Sequence, residues 1–387
     1  MSSATKFDGL SGPSPEEPDP SAPTKAAKAA KATTPPDDLG HAAQRRTTTI
    51  WITGLSLGLV ATLVLGVGLG AVSIAPATVF QIITHNLFGT PGVPTWTAAE
   101  NSIVWQVRLP RALLGAAVGA GLAICGVALQ AMVRNMLADP YLLGVTSGAS
   151  TGAAAAILFG FAAAFGENAL PISAFLGALG ASIVVFVVAR AGGRVTSLRL
   201  LMAGVAVGYA LYAATSFLIF ASDSAEGSRS VMFWLLGTLG LARWSVPLAI
   251  VIVIVCGTIA LLTLWSRKLD ALAIGDETAH TLGVSPNRFR IHLLVVVSLC
   301  IGGVVAASGG IGFVGLVIPH VARRCVGAVH SRVVPVSALI GAIFLIWADV
   351  AARTILQPRE LPIGIITALV GAPFLLILVR KLYSNNN

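Results

Sequence analysis

Residues 108–130 read RLPRALLGAAVGAGLAICGVALQ, and after Arg111 no charged side chain appears in the stretch. A bilayer core of about 30 Å needs about 20 consecutive apolar residues in a helix. Comparable runs recur from about residue 50 almost to the end of the 387-residue chain. In hydrocarbon every backbone N–H and C=O must be satisfied within the segment or by neighbouring protein. A polytopic, all-α helical bundle meets both demands. Composition agrees: 11% of residues are charged and mean hydropathy is +0.86, whereas soluble domains carry about 25% charge. The 41 glycines suit close helix packing in lipid. Gly54/Gly58, Gly115/Gly119 and Gly204/Gly208 form small-xxx-small pairs, read as tight packing inside one subunit in preference to a dimer face.

Ten spans are expected, at about 50–72, 107–131, 142–161, 171–189, 199–221, 246–265, 289–307, 313–327, 333–353 and 363–380. Residues 226–240 read as a short extracytoplasmic helix. SGGIGFVGLVIPH, 308–320, interrupts its apolar run with glycines and a proline, which suits a half-helix or re-entrant element. Residues 1–49 form a separate cytoplasmic tail rich in Pro, Ala, Ser and Lys, too poor in large apolar side chains to fold and expected to be disordered. The run KAAKAAK at 25–31 is a solvated stretch or a transient basic helix on an anionic membrane surface. The tail is too long and polar for a secretory n-region.

Net charge is +9. The basic residues flank apolar spans, so topology explains them and no nucleic-acid partner is expected. With the N-terminus inside, 19 of the 25 Lys and Arg fall on the cytoplasmic side, 15 without the tail's four lysines. Both termini are therefore placed inside. The six exceptions are Arg108, Arg111, Arg229, Arg243, Arg353 and Arg359. Arg108 and Arg111 flank Pro110, and Arg353 follows Asp349 by four residues, on one helical face. From the residues alone, docking of acidic groups on a soluble partner and structural pairing weigh equally.

Chemistry is mostly absent. No G-x-x-x-x-G-K-[ST] occurs, so the chain holds no Walker phosphate loop. No H-E-x-x-H occurs, and the six histidines show no metal-ligand spacing. His320 alone lies near a candidate pore element, where a helix-terminal hydrogen bond is expected ahead of a metal or haem contact. Cys125, Cys256, Cys300 and Cys325 read as small buried hydrophobes rather than disulfides or ligands. Ion-coupled carriers keep an ionisable group at mid-membrane, and Asp349 is the one good candidate. The long inner loop 266–288, SRKLDALAIGDETAHTLGVSPNR, contains a helix-compatible stretch at 270–282 with Leu272, Gly275, Ala279 and Leu282 at helical spacing. Leu282–Gly283 supplies its stop. Such a helix suits a groove on another protein, the membrane surface, or its own bundle.

Five segments in order resemble one known family, the transmembrane permease subunits of type II ABC importers for iron chelates and cobalamin. They are RLPRALLGAAVGAGLAICGVALQ at 108–130, RNMLADPYLLGVTSGAS at 134–150, LAIGDETAHTLGV at 272–284, GFVGLVIPHVAR at 312–323, and ADVAAR…ELPIGIITALVGAPFLL at 348–376. The resemblance covers about 50–383 and implies a ten-span subunit that pairs with a second permease subunit, identical or paralogous. Two ATP-binding cassette subunits would sit below and an extracytoplasmic substrate-binding protein would dock above, at a bacterial plasma membrane. Leu272, Gly275, Ala279, Leu282 and Gly283, within 270–284, match the segment that contacts the ATPase. Arg108, Arg111 and Arg353 match arginines that receive the binding protein's acids, which tips the balance towards docking. Asn135 matches a gate position; Thr196 and Ser197 lie in the loop of the other gate segment. The fifth span, with elements of the tenth, would line the path. The family's N-P-L-A appears here as Asn135-Met136-Leu137-Ala138, and losing Pro relaxes the preceding backbone. The implied function is uptake of a ferric siderophore, with haem or cobalamin as alternatives and no reaction catalysed by this chain. It binds no cofactor; ATP and Mg are used by the partner ATPase. The rivals are a secondary carrier using Asp349 and a channel-like or structural membrane protein.

Overall fold

Apolar runs with no water to bond to close their backbone hydrogen bonds internally, and here they do so as helices throughout. The computed structural model describes residues 41–191, 193 and 195–384, with no strand among the described residues. The helices are α1 His41–Gly68, α2 Pro76–Phe88, α3 Ala98–Asn101, α4 Leu109–Val133, α5 Val145–Phe159, α6 Ala169–Arg190, α7 Ser197–Phe220 and α8 Ala225–Leu235. They continue as α9 Val246–Leu264, α10 Ser266–Ile274, α11 Asp276–Thr281, α12 Pro286–Ser308, α13 Val314–Val326, α14 His330–Thr354 and α15 Ile363–Ser384. Eight of the long helices have the length and apolarity to cross a membrane; α5 is a shorter apolar helix, and α13, whose last turn carries Arg323 and Arg324, is a short helix at the place of the eighth expected span.

The stretch that decides the fold also forms its centre. In α4 and the turn before it, 89% of the most apolar window is buried, against 17% for α1 and α7 and 22% for α15. Pro110 is the second residue of α4, directly after the π-helical turn Ser102–Arg108, where the regular i→i−4 ladder is already interrupted. The helix ends at Arg134 in left-handed conformation (φ 56°). α14, α12, α13 and α9 pack around it, and α5 packs between α6 and α7. At the α4–α14 crossing a Cβ on Gly119 would collide with the Gly341 carbonyl, and one on Gly341 with that of Gly119. One member of the Gly115/Gly119 pair thus works inside the subunit, where dispersion contacts replace the hydrophobic driving force that lipid does not supply. Gly54, by contrast, faces open space.

α13 is a half-helix, as the 308–320 sequence suggests. Its 13 residues reach about 20 Å at 1.5 Å per residue, short of the about 30 Å core. The irregular backbone before it is covered by protein. Thr238 N–H donates to Ser308 O at 2.8 Å, while Gly364 and Ile363 N–H donate to Leu236 O (3.0 Å) and Gly237 O (3.2 Å). Non-helical backbone at membrane depth is tolerated under such cover.

Several expectations are corrected. α1 begins at His41, so 41–49 are helical rather than tail; the remaining tail, 1–40, lies outside the described residues. The second span starts earlier than 107, as α3 runs through a π-helical turn, Ser102–Arg108, into α4. α2 was not foreseen: its 13 residues are too few for a span, and it buries only Val79 and Ile82. The 270–282 helix is two helices broken at Gly275, with the first starting at Ser266. Cys125 and Cys300 are buried and all four cysteines are free, but Cys256 lies on the exposed face of α9. His320 sits inside α13, not at its end. Its Nδ1 has no partner and its ring packs edge-on against Phe374, with centroids 6.0 Å apart.

Candidate functional site

Two polar clusters mark opposite ends of α4. Arg111 and Met132, one in each, are 21 residues apart, or about 32 Å along the helix.

The first cluster holds the three arginines. Helix α1 ends with unpaired carbonyls, as every helix does, and two guanidiniums satisfy them. Arg108, buried, donates to Val67 O (3.0 Å), Gly68 O (3.1 Å) and Val72 O (2.6 Å). Arg353 donates to Gly66 O (3.1 Å) and Leu69 O (3.3 Å). Its Nε lies 3.0 Å from Asp349 Oδ2, close in distance but not aligned as a hydrogen bond. Arg111 Nε donates to both Asp349 oxygens at 3.0 and 3.1 Å. Its NH1 and NH2 donate to the two Glu360 oxygens at 3.1 and 2.9 Å. Asp349 is almost fully buried, with its side chain 5% exposed, while that of Glu360 is 52% exposed. The structure thus brings all three arginines together and commits each internally; structural pairing, one of the two readings open from sequence, is present. Glu360 was missed, because its partner lies 249 residues away and no local pattern links them.

The second cluster gathers residues of the 266–288 loop with Asn135, Thr196 and Ser197. Leu272 and Ala279 are fully buried, whereas Ile274 and Leu282 are 69% and 63% exposed. The helical repeat read from sequence thus faces the protein's own bundle at Leu272 and Ala279, and the outward apolar face is Ile274 and Leu282. Gly275 has φ 154° and ψ 162°, and Gly283 has φ 76°; the first is a region open in practice to glycine alone.

Asp276, just after that break, accepts from Arg290 NH1 (2.9 Å) and NH2 (2.7 Å). The Arg290 hydrogen bonds beside it hold its carboxyl below the usual range. Arg290, 2% exposed, also donates to Ser197 Oγ (3.3 Å) and Met132 O (3.4 Å), and Ser197 Oγ donates to the same Met132 O at 3.0 Å. Thr196 caps α7 by accepting from Arg199 N–H. Asn135 Oδ1 accepts from Leu137 N–H at 2.9 Å, an Asx turn that holds the loop around Met136. Asp139, next along, accepts from Tyr141 N–H (2.9 Å); burial pushes its carboxyl up to about 6. Ser197 and Asn135 therefore flank the end of α4, which Arg290 joins to the inner loop. Neither Asp276 nor Arg290 stood out in the sequence. No group of three or more His, Cys, Asp or Glu able to hold a metal occurs among the described residues.

Known proteins agree with this architecture. The FecCD transport family model matches residues 55–381. A cobalamin import system permease of Halobacterium salinarum is 46% identical over 72% of this chain and 73% of its own. An Fe(3+)-citrate import system permease of Bacillus subtilis is 36% identical over 88% and 98%. A solved structure described as an inward-facing putative metal-chelate type ABC transporter superposes with TM-score 0.74 at 34% identity, over 85% of this chain and 98% of that one. A helical bundle with eight apolar helices of membrane-spanning length, a family match over most of its length and relatives of this kind lead to one assignment: the chain belongs to the FecCD transport family, the multi-pass permease subunits of ABC importers.

Proposed function

We propose that this chain is the membrane path of an ATP-driven importer for a ferric siderophore or a related metal chelate. A binding protein delivers the chelate at the Arg108–Arg111–Arg353 end. Two permease copies rock between outward and inward openings, and two separate cassette subunits use ATP and Mg at the α10–α11 end. Both termini lie on that inner side.

The observation that carries this reading is the outward face of α10–α11. Ile274 and Leu282 are large apolar side chains held exposed on a broken, two-helix segment, the kind of surface that fills a groove on a partner. Gly275 and Gly283 shape it, with Leu272 and Ala279 as its inward support. Thr196, Ser197 and Asn135 are proposed as gate residues because they sit where α7 and α4 meet the inner side.

At the other end Arg111 and Arg353 pair with two carboxylates, Asp349 and Glu360, and Arg108 is held by backbone carbonyls, leaving an excess of positive charge to receive acidic groups. The half-exposed Glu360 is the exchangeable member: an incoming carboxylate would take its place on Arg111. Asp349 speaks against an ion-coupled carrier, since its oxygens are committed to Arg111 and Arg353 and a fixed structural ion does not shuttle. A second substrate reading, cobalamin, is favoured by the 46% identity to the Halobacterium permease; haem is a third chelate of the same class.

The test is uptake by a deletion strain given ferric siderophores, haem and cobalamin separately, with complementation. Selective loss of ferric siderophore uptake is the expected result. Loss of cobalamin or haem uptake instead moves the substrate assignment, and unchanged uptake of all three in a strain without redundant systems removes the chelate reading.

A further inference from the structure

The inner loop is pinned to the bundle by two acids, one on each side of its break. Before Gly275, Asp270 of α10 accepts from the backbone N–H of His330 (3.0 Å) and contacts its Nδ1 (2.6 Å), at the first turn of α14. After Gly275, Asp276 of α11 takes both terminal nitrogens of Arg290. The two anchors lead to different places. Asp270 leads to α14. Arg290 belongs to α12 and reaches Ser197 in the first turn of α7 and Met132 at the end of α4. α10 and α11 are therefore pinned through different side chains, on either side of a glycine whose backbone no other residue adopts cheaply.

We infer that Arg290 is a positioning residue that makes α11 and the foot of α7 move as one body, with Gly275 as the hinge that frees them from α10. This rests on the reading of α10–α11 as the surface that meets the cassette subunits. The physical case is stiffness and burial. A bidentate guanidinium–carboxylate pair fixes orientation as well as distance. The guanidinium is buried, so breaking the pair strands a charge away from water, which costs more than the pair contributes when intact. A push on α11 thus finds it cheaper to carry Arg290 and Ser197 along than to leave them. Ser197 starts the helix whose outward face carries Tyr209 and Tyr212, 73% and 68% exposed. Movement at the inner loop would in this way reach the foot of a long, largely unburied helix, at the end of α4 where Met132 O accepts from both Arg290 and Ser197.

Asp276 is the residue to change, because its side chain is 40% exposed and an amide in its place keeps one acceptor oxygen for the buried Arg290 while removing the charge and the bidentate geometry. The full complex, with its cassette subunits and binding protein in lipid, is compared as wild type, Asp276→Asn, Asp276→Glu and Ser197→Ala. Spin labels at Thr281 of α11 and Leu198 of α7 report their separation with and without ATP. In the wild type the separation is expected to stay constant through the ATP cycle. In Asp276→Asn it should change with nucleotide. That complex still co-purifies and hydrolyses ATP, but ATP consumed per molecule transported rises at least ten-fold. Ser197→Ala, which loosens the α7 end alone, gives a smaller rise, and Asp276→Glu restores coupling.

A merely structural staple would lower assembly and leave the ATP-to-transport ratio of assembled complexes unchanged; that result, or an unchanged label separation in Asp276→Asn, overturns the link. Failure of the wild-type chain to associate with any cassette subunit would instead overturn the reading beneath it.

Discussion

Arg111 holds two carboxylates of very different exposure, and the difference predicts how the outer end responds to charge. Removing Asp349 would strand buried arginines, so it is a poor probe of docking. Glu360 is half exposed, and such a pair is worth about 0.2–1 kcal/mol. Glu360→Gln should therefore tighten binding of the substrate-binding protein about two- to five-fold, because Arg111 no longer has to exchange one acid for another. A general charge effect would vanish in high salt; direct competition should survive at 0.5 M salt. Unchanged or weaker binding, measured by titration in nanodiscs, rules out the exchange.

Asp139 supplies a second residue-level prediction. Its folded carboxyl titrates at about 6, against an ordinary value of 3.8, because burial disfavours the charge. The folded state thus holds the proton more tightly than the unfolded state. Stability falls as pH rises from about 4 to about 6 and stays lowered above that. The cost is on the order of 2–3 kcal/mol. Asp139→Asn keeps an acceptor for Tyr141 N–H and drops the charge, so its Tm should exceed that of the wild type at pH 7.5. The gap should close as pH falls through 6 towards 4. A gap that widens on acidification would contradict the burial argument.

Among the elements, the long apolar helices were legible because length and polarity alone decide them: eight of the ten expected spans reappear as helices long and apolar enough to cross, and the other two as the shorter α5 and α13. α2 was not, since 13 residues with two buried side chains leave no signal that length can catch. The break at Gly275 was half legible. A glycine stood inside the helical repeat, but the repeat continued past it, and only the backbone shows that it divides two helices. Periodicity also gave a face without saying what that face meets, so Leu272 and Ala279 were read with Leu282 although they point the other way. Pairings such as Arg290 with Ser197, 93 residues apart, lie beyond any local rule. The two glycines of the inner loop now separate cleanly. Gly275→Val would force a β-branched residue into a glycine region, at about 1–3 kcal/mol, with Arg134 NH1 3.6 Å from the new Cβ. Gly283 sits in the left-handed region, with open space around it, and asparagine is tolerated there. Gly275→Val should cut cassette-subunit co-purification at least ten-fold while the chain still folds; Gly283→Asn should keep it within two-fold. Equal behaviour of the two variants would mean that the backbone break does not shape the contact.

At the scale of the molecule, the exposed faces must be divided between lipid and whatever else surrounds the bundle, and apolarity alone does not divide them. Tyrosine does. Tyr209 and Tyr212 lie near the middle of the 24-residue α7, largely exposed. A hydroxyl at the bilayer centre has no partner, which costs several kcal/mol, and membrane tyrosines gather instead at the headgroup level. A water-bearing path or a second permease copy is therefore the neighbour we propose for the α7 face. Cys256 gives the opposite case: it is exposed in the middle of α9 among Ile and Val neighbours, a face suited to lipid. The thiolate is the nucleophile that attacks a maleimide, and hydrocarbon suppresses its formation. In the assembled transporter, with Cys325 changed to Ser, Tyr209→Cys should react with a membrane-impermeant maleimide in a nucleotide-dependent manner, while Cys256 stays unlabelled in every state. Labelling of Cys256 with protection of position 209 would reverse the assignment of the two faces and place the path on the side of α9.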